Sequence, residues 1–179
     1  MRLFIAIIFQ EPFKDEIMKV TRELQQSAVK GNYTLRENLH LTIVFLGEVA
    51  QERVGSIKTA MNRVKAEPFQ LSLDKTGLFK RNGGDVFWIG IKKSDVLDSI
   101  HRQLTEELAG SGFLLEERKY TPHLTIGREV KLKDTPAAFL SEEIFRNSSM
   151  TASRISLMKS ERINGKLNYT EVYGKNLIG

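Results

Sequence analysis

Apolar and polar residues alternate along the chain in a way that predicts short strands separated by amphipathic helices. Runs rich in Val, Ile, Leu and Phe give the strands, and apolar residues at helical spacing give the helices. The predicted strands are Leu3–Phe9, His40–Leu46, Phe69–Leu73, Gly77–Lys80, Val86–Ile91, His123–Gly127, Ser153–Lys159 and Tyr169–Tyr173. The predicted helices are Glu11 to about Val29, Gln51–Lys65, Asp95–Leu108 and Thr135–Glu143.

Turn and capping residues separate these elements. The segment Asn82-Gly83-Gly84-Asp85 predicts a turn between two strands, and Asn164-Gly165 predicts the turn of a closing hairpin. Ser94 or Asp95 is the predicted N-cap of the third helix. The order strand, helix, strand, helix, strands recurs after the Gly-rich turn, which predicts two similar halves with a cleft between them. Because no Pro/Ser-rich linker interrupts the chain, residues 1–179 are interpreted as a single domain.

Composition narrows the classes of function. The chain has 179 residues, of which 41% are hydrophobic and 27% charged, as is ordinary for a globular protein. Its net charge of +5 at pH 7 favours a polyanionic partner. The sequence contains no cysteine, which excludes disulfides and thiolate-bound zinc and suits a reducing compartment, so we expect a cytoplasmic location. No apolar run reaches the length of a membrane span, so no membrane association is expected.

The tetrapeptide His-Leu-Thr-Ile occurs twice, at residues 40–43 and 123–126, and accounts for two of the three histidines. In a strand, residues i and i+2 point to the same face, so each copy places a His and a Thr together and a Leu on the opposite face. Two such strands brought face to face would gather two imidazoles and two hydroxyl groups around one point. This arrangement suits general acid–base chemistry on a group with several acceptor oxygens, most simply a phosphate.

The flanks of the two copies carry a family resemblance. The first copy lies within Glu-Asn-Leu-His-Leu-Thr-Ile-Val-Phe-Leu-Gly (37–47) and the second within Tyr-Thr-Pro-His-Leu-Thr-Ile-Gly-Arg (120–128). These resemble the paired H-x-T motifs of the 2H phosphoesterase superfamily, and most of all those of the RNA 2′,3′-cyclic phosphodiesterases, also called the 2′-5′ RNA ligase family. The resemblance covers essentially the whole chain. It implies an α+β fold with two pseudo-symmetric lobes, antiparallel sheets facing a central cleft and helices outside, and chemistry without metal or nucleotide cofactor.

The two motifs suggest a division of labour. Ring opening of a cyclic phosphate needs one imidazole to take a proton from water and another to protonate the departing oxygen. We assign His123 as the proton acceptor and His40 as the proton donor, because the second motif alone is followed by a cation, Arg128, and because the resemblance implies the same polarity. Thr42 and Thr125 are predicted to donate hydrogen bonds to the non-bridging oxygens.

Arg128 raises a question of strand geometry. It lies five residues after His123, an odd spacing, so an unbroken strand would direct its side chain to the wrong face. A bulge or strand end at Gly127 could redirect it toward the phosphate, whose oxygens match the planar fork of a guanidinium. The alternative is a solvated Arg at a strand end. The first motif has Phe45 at the corresponding position.

Other residues near the motifs are weaker candidates. Tyr33 precedes His40 by seven residues, where the family commonly has an aromatic, and either stacks on a base or covers the core. Arg36 is a candidate for binding substrate phosphates, with an ordinary surface charge as the alternative. Trp88 is predicted to lie in the core, and His101, in the middle of a helix, is predicted to be structural or exposed.

The leading hypothesis is a phosphodiesterase that opens the 2′,3′-cyclic phosphate end of RNA to a 2′-phosphomonoester, the product being implied by the resemblance. The reverse reaction, 2′-5′ ligation, uses the same two protons. The alternatives are an RNA-end-binding module without turnover and a phosphodiesterase of a small cyclic nucleotide. A two-His-one-carboxylate metal site is disfavoured, because no acidic residue stands at a fixed offset from both motifs. We expect no cofactor, an RNA or oligonucleotide partner, and a monomer with no obligate protein partner.

Overall fold

The computed structural model describes residues 1–117, 119–134, 145 and 148–178, which include nine strands and three α-helices. The strands are β1 Arg2–Ile8, β2 Ala28–Tyr33, β3 His40–Glu48, β4 Phe69–Phe79, β5 Asp85–Ile91, β6 His123–Leu132, β7 Ser149–Ala152, β8 Arg154–Ile163 and β9 Lys166–Asn176. The helices are α1 Glu11–Ser27, α2 Val54–Arg63 and α3 Asp95–Gly110. Among the described residues, none of these helices has the length and apolar character needed to cross a bilayer.

The strands form two antiparallel sheets, as the family resemblance implied. The first lobe is the four-stranded sheet in the order β3-β1-β8-β9, and the second lobe is the five-stranded sheet in the order β2-β6-β5-β4-β7. Each paired strand runs antiparallel to its neighbour. The first lobe combines strands from the beginning and the end of the chain. The lobes are therefore interleaved along the sequence and do not coincide with its two halves.

Strand β1 is buried on both faces and forms the floor beneath the first motif. Leu3, Ile5 and Ile7 belong to the main hydrophobic core. On the opposite face, Phe4 and Ala6 form a second, smaller cluster with Met158 of β8. Alternate residues of one strand thus pack on two sides, as the two-residue period of a strand requires. The face of the first sheet that points away from the main core therefore also carries a small apolar cluster, next to the first motif.

Helix α1 packs its apolar stripe inward but ends earlier than the sequence pattern predicted. Its buried residues include Ile17 and Leu24, which are spaced two turns apart on one face. The predicted extension to about Val29 is wrong, because the helix stops at Ser27 and the next residues form β2, an edge strand that pairs with β6. Pairing with an existing strand supplies hydrogen bonds that local propensity does not reveal.

Several other predictions can be compared with the structure. The two strands predicted over residues 69–80 are one strand, β4, with a register shift between Leu73 and Thr76, and β7 was not predicted. The closing hairpin is confirmed: Asn164 and Gly165 have φ of 50° and 79° at the turn between β8 and β9. Ser94 is confirmed as the N-cap of α3, since its Oγ accepts from Leu97 N at 3.3 Å. The helix predicted over residues 135–143 lies outside the described residues.

Candidate active site

His40 is fixed at the start of β3 by hydrogen bonds at both ring nitrogens. Its Nδ1 lies 2.7 Å from the carbonyl oxygen of Asn38, and its Nε2 lies 3.0 Å from Oγ1 of Thr42. A carbonyl oxygen only accepts, so Nδ1 carries the proton, and in the neutral ring Nε2 accepts from the Thr42 hydroxyl. Burial lowers the pKa of His40, while the bond to Asn38 raises it by a smaller amount.

Two aromatic rings enclose His40 within the first lobe. The Phe4 ring lies 4.8 Å from the imidazole, centroid to centroid, and the Tyr169 ring lies 5.0 Å away and nearly perpendicular, at 87°. Phe4 and Tyr169 also contact each other at 5.0 Å. Tyr169 is on β9, so a residue from the end of the chain completes the surroundings of the first motif. These contacts fix the ring plane of His40 and cause its desolvation.

His123 repeats part of this arrangement in the second lobe. Its Nδ1 lies 2.8 Å from the carbonyl oxygen of Thr121, again two residues before the histidine, so the same tautomer is selected. The imidazole is flanked by Phe79 at 5.6 Å and Trp88 at 6.0 Å. The prediction that Trp88 lies in the core is wrong. Trp88 pairs with Thr125 in the register of β5 and β6 and therefore shares the face of the second motif.

The two threonines have different partners. Thr42 is half-buried, and its hydroxyl bonds to His40, as described above. Thr125 is half-buried two residues after His123, and its backbone carbonyl accepts from Oγ1 of Thr34 at 2.8 Å. Both side chains thus lie on the face of their histidine, as the strand period predicted. Their predicted contact with phosphate oxygens stays a prediction.

Arg128 is redirected by an irregularity in β6. Gly127 and Thr125 pair with consecutive residues of β5, Phe87 and Trp88, so Ile126 is an extra residue on β6. The bulge reverses the alternation, because Gly127 pairs with the core residue Phe87, and a Cβ added to it would lie 3.3 Å from Leu24 Cδ2 of α1. Arg128 is exposed and falls on the face of His123. The bulge expected at Gly127 is confirmed.

The two motifs lie next to each other in the structure. Cα atoms of β3 and β6 approach within 8 Å, although the strands belong to different sheets. The hydroxyl of Tyr120, three residues before His123, donates to the backbone carbonyl of Thr42 at 3.1 Å. His101 of α3 stacks on the Tyr120 ring at 4.1 Å, with 5° between the planes. His101 is therefore structural, as predicted. It packs against Tyr120, the residue whose hydroxyl links the segment before the second motif to the backbone of the first.

Tyr169 interacts electrostatically with arginines from both lobes. Burial raises the pKa of this tyrosine, and the positive charges of Arg128 and Arg2 oppose that effect. Arg128 belongs to the second lobe, whereas Tyr169 and Arg2 belong to the first. Nothing in the sequence indicates that Tyr169 or Phe4 lies at the site, because neither residue is near a motif. Strand parity does separate Trp88 from its buried neighbours Phe87 and Ile89, and this signal could have placed it correctly.

Tyr33 and Arg36 lie beside the site in structural roles. Tyr33 pairs with Gly127, which faces the core, and packs partly buried against the main core. This placement supports the alternative that Tyr33 covers the core. The guanidinium of Arg36 forms ion pairs with Glu11 and Asp15 of α1, each at 2.8 Å. These carboxylates occupy the donors that Arg36 would offer to a phosphate. Within the described residues, His, Asp and Glu side chains form no group of three suited to holding a metal ion.

Comparison with known proteins agrees with this geometry. An RNA 2′,3′-cyclic phosphodiesterase of Thermotoga maritima is 37% identical over 131 residues, covering 72% of this chain and 70% of that protein. An Escherichia coli protein of the same name is 28% identical over 170 residues, covering 94% and 92%. The crystal structure of E. coli LigT complexed with 3′-AMP matches with a TM-score of 0.85 and 27% identity, over 99% of this chain and 98% of that one. The family model of the 2′-5′ RNA ligase superfamily matches residues 12–164, and the chain belongs to this superfamily.

Proposed function

We propose that this protein is an RNA 2′,3′-cyclic phosphodiesterase that opens a terminal cyclic phosphate to a 2′-phosphomonoester, with His40 and His123 as proton donor and acceptor. One observation carries the proposal. Both histidines are held in the same tautomer by the carbonyl two residues earlier, at 2.7 Å and 2.8 Å, and both lie on neighbouring strands of two different sheets. Each therefore uses Nε2 for proton transfer, which is the matched pair that an acid and a base require.

The reaction follows from these two nitrogens. Nε2 of His123 takes a proton from water as the water oxygen bonds to phosphorus. Protonated His40 gives its Nε2 proton to O3′ as the bond between O3′ and phosphorus breaks. In the neutral state the Thr42 hydroxyl donates to His40 Nε2. Once Nε2 is protonated it can only donate, so the Thr42 hydroxyl hydrogen is free to bond to a non-bridging oxygen. Thr125 and Arg128 contact the remaining oxygens and hold the charge that develops on them.

The donor role of His40 depends on the substrate. Burial lowers the pKa of His40, and this favours the neutral ring, whereas a proton donor must start the reaction charged. A phosphate anion beside the ring acts in the opposite direction, because a nearby negative charge favours imidazolium. We propose that binding of the cyclic phosphate charges His40, so that the acid forms only where it is needed.

The name of the relatives favours RNA as the substrate class, and reverse 2′-5′ ligation is compatible with the same two protons. An RNA-end-binding module without turnover would not need two histidines with matched tautomers, and a small cyclic nucleotide would offer the same phosphate. The single domain over residues 1–179, the monomer, the cytoplasmic location and the absence of a cofactor stay predictions.

The test is hydrolysis of an oligoribonucleotide that ends in a 2′,3′-cyclic phosphate, with and without EDTA. We expect the 2′-phosphomonoester as product, full activity in EDTA and a bell-shaped dependence of rate on pH. Binding of the oligonucleotide without product would favour the binding module. Loss of activity on chelation, restored by Zn²⁺ or Mn²⁺, would contradict the metal-independent mechanism.

A further inference from the structure

Arg2 lies on the same face of the first lobe as Tyr169. In the strand register Arg2 pairs with Ser160 of β8, and Ser160 pairs with Tyr169 of β9, so the three residues form one row across the sheet. Residues paired in this way share a face. Phe4, two residues after Arg2, has the same parity and contacts the His40 ring. The guanidinium of Arg2 is therefore on the side of the first-lobe sheet that carries His40.

The guanidinium of Arg2 is held in place but remains accessible. Its Cζ lies 5.1 Å from the centroid of the Phe45 ring, a cation–π contact. The Phe45 side chain is 40% exposed, and Arg2 itself is exposed. Glu48, the register partner of Arg2 on β3, forms its ion pair with the amine of Met1 at 3.5 Å. Among the described residues, Arg2 forms no ion pair, so its hydrogen-bond donors are available to an external anion.

The two lobes each provide one guanidinium near their motif, by different routes. In the second lobe the cation is Arg128 itself, five residues after His123. In the first lobe the position five residues after His40 is Phe45, and the cation above it comes from the neighbouring strand as Arg2. The positive charges of both arginines act on the hydroxyl of Tyr169. Both lobes therefore contribute a cation to the surroundings of Tyr169, the tyrosine that contacts His40.

Distance along β1 indicates which phosphate Arg2 would meet. Phe4 is the residue of β1 whose ring contacts His40. Arg2 lies two residues away on the same strand, which corresponds to about 6.6 Å between the two Cα atoms at the usual rise per residue. The Tyr169 ring, in the same row as Arg2, contacts both His40 and Phe4, so the two aromatic rings cover this side of the His40 imidazole. A phosphate that is hydrogen-bonded to both histidines would thus be separated from Arg2 by these aromatic side chains. Arg2 is better placed to bind a second anion.

We propose that Arg2 binds the phosphodiester on the 5′ side of the terminal nucleotide, so that the protein holds two successive phosphates of an RNA end. This inference rests on the proposed function. It gives the site a means to distinguish an RNA end from a free nucleoside cyclic phosphate, because only the RNA end carries the second phosphate. The contact is a charge-assisted one, which contributes more than a neutral hydrogen bond and is reduced by salt.

The experiment uses three substrates that differ only beyond the terminal nucleoside. The first is adenosine 2′,3′-cyclic phosphate. The second is the dinucleotide ApA that ends in a 2′,3′-cyclic phosphate and has a normal phosphodiester linkage, and the third is the same dinucleotide with an uncharged methylphosphonate linkage. Arg2→Ala should lower kcat/KM about tenfold on the charged dinucleotide alone. Arg2→Lys should lose less, and Arg102→Ala, which removes the same charge from the exposed surface of α3, should change nothing. An equal loss on all three substrates, or no loss on the charged dinucleotide, would overturn the proposal.

Failure of the proposed function would give a different result. If the wild-type protein opens none of the three substrates, the function is wrong, and Arg2 is then tested by binding. Calorimetry would compare the dinucleotide 2′-phosphate with a charged and with a methylphosphonate linkage. About tenfold tighter binding of the charged form by the wild type, lost in Arg2→Ala, would support the second phosphate site. Equal affinities for the two linkages would reject it.

Discussion

The two His-Leu-Thr-Ile segments share one sequence but have different surroundings. His40 is bonded at both ring nitrogens and enclosed by Phe4 and Tyr169, and its pKa is lowered by burial. His123 is bonded at Nδ1 to the carbonyl of Thr121 and flanked by Phe79 and Trp88. The shared part is what the backbone of the motif itself provides, namely the carbonyl two residues earlier. The rest comes from neighbouring strands.

This comparison shows how a repeated motif can perform two different steps. The backbone carbonyl selects the same tautomer twice, and so the same nitrogen is presented for proton transfer in both lobes. The neighbouring strands then make the surroundings of the two histidines different. The first lobe surrounds its histidine with aromatic rings, whereas the second lobe adds Arg128 after a bulge. Under the proposed mechanism, these unequal surroundings would separate the roles of the two otherwise matched histidines.

Removal of either imidazole should have the largest effect. We expect His40→Ala and His123→Ala each to lower the rate by about 10²–10⁴-fold, because each removes one proton-transfer group. His101→Phe removes the third imidazole but keeps a ring to stack on Tyr120, and should retain activity. Rates on an oligonucleotide cyclic phosphate and melting temperatures would be measured together. Near wild-type turnover in either alanine variant would show that the two motifs do not act as a pair.

How much of this site the sequence predicts depends on where each residue's neighbours come from. His40, Thr42, His123 and Thr125 could be placed on common faces, because the strand period and the repeat are local properties. The bulge that redirects Arg128 could be anticipated from Gly127 and the odd spacing. Tyr169 could not be anticipated. It reaches His40 only because β9 joins the same curled sheet as β1 and β3.

The fold shows the same limit. The hairpin at Asn164-Gly165 and the N-cap Ser94 carry their information in a few adjacent residues and were predicted correctly. The edge strand β2 was missed, because Ala28–Tyr33 gains its hydrogen bonds from β6, about a hundred residues later in the chain. The interleaving of the lobes was missed for the same reason. Non-local pairing leaves little trace in the pattern of either partner.

A substrate with a better leaving group should separate the roles of the two histidines. His40→Ala should recover much of its loss when the leaving oxygen has a low pKa, because such an oxygen departs without a proton. His123→Ala should not recover, since water must still lose its proton. A 3′-deoxynucleoside 2′-phosphodiester with a nitrophenyl leaving group would provide this comparison, because it keeps the bond between O2′ and phosphorus and replaces the natural O3′ alkoxide by a nitrophenolate. Recovery of His123→Ala alone would reverse the assignment of donor and acceptor.

Arg128→Ala should cost less than loss of a histidine and more than loss of a threonine. A charged hydrogen-bond donor contributes about 1.5–3 kcal/mol, which corresponds to about 10- to 100-fold in rate. Arg128→Lys keeps the charge but loses the planar fork, so it should be intermediate. Thr42→Val and Thr125→Val remove one neutral donor each and should be milder. Unchanged kinetics of Arg128→Ala would mean that the asymmetry between the lobes does not arise from this cation.

The smallest expected effect concerns stability, and it reports on the enclosure of His40 without any substrate. The folded protein lowers the pKa of His40 below the ordinary value of 6.5, so in the window below that value the unfolded chain binds more protons than the native state. The stability associated with neutral His40 is therefore fully present above pH 6.5. It is lost as the pH falls from 6.5 through the lowered pKa of the folded state. Protonation then drives unfolding.

Melting temperatures of the wild type, His40→Gln and His123→Gln between pH 5 and pH 8 would measure this loss. We expect the melting temperature of the wild type to fall more steeply toward acid than that of His40→Gln, which has no imidazole to charge in the enclosed site. His123→Gln keeps His40 and should keep the steep fall. His101, whose pKa is also lowered by burial, is present in all three proteins and so cancels from the comparison. Parallel curves for the wild type and His40→Gln would show that the enclosure by Phe4 and Tyr169 does not disfavour imidazolium, and the proposed charging of His40 by the substrate would then be unnecessary.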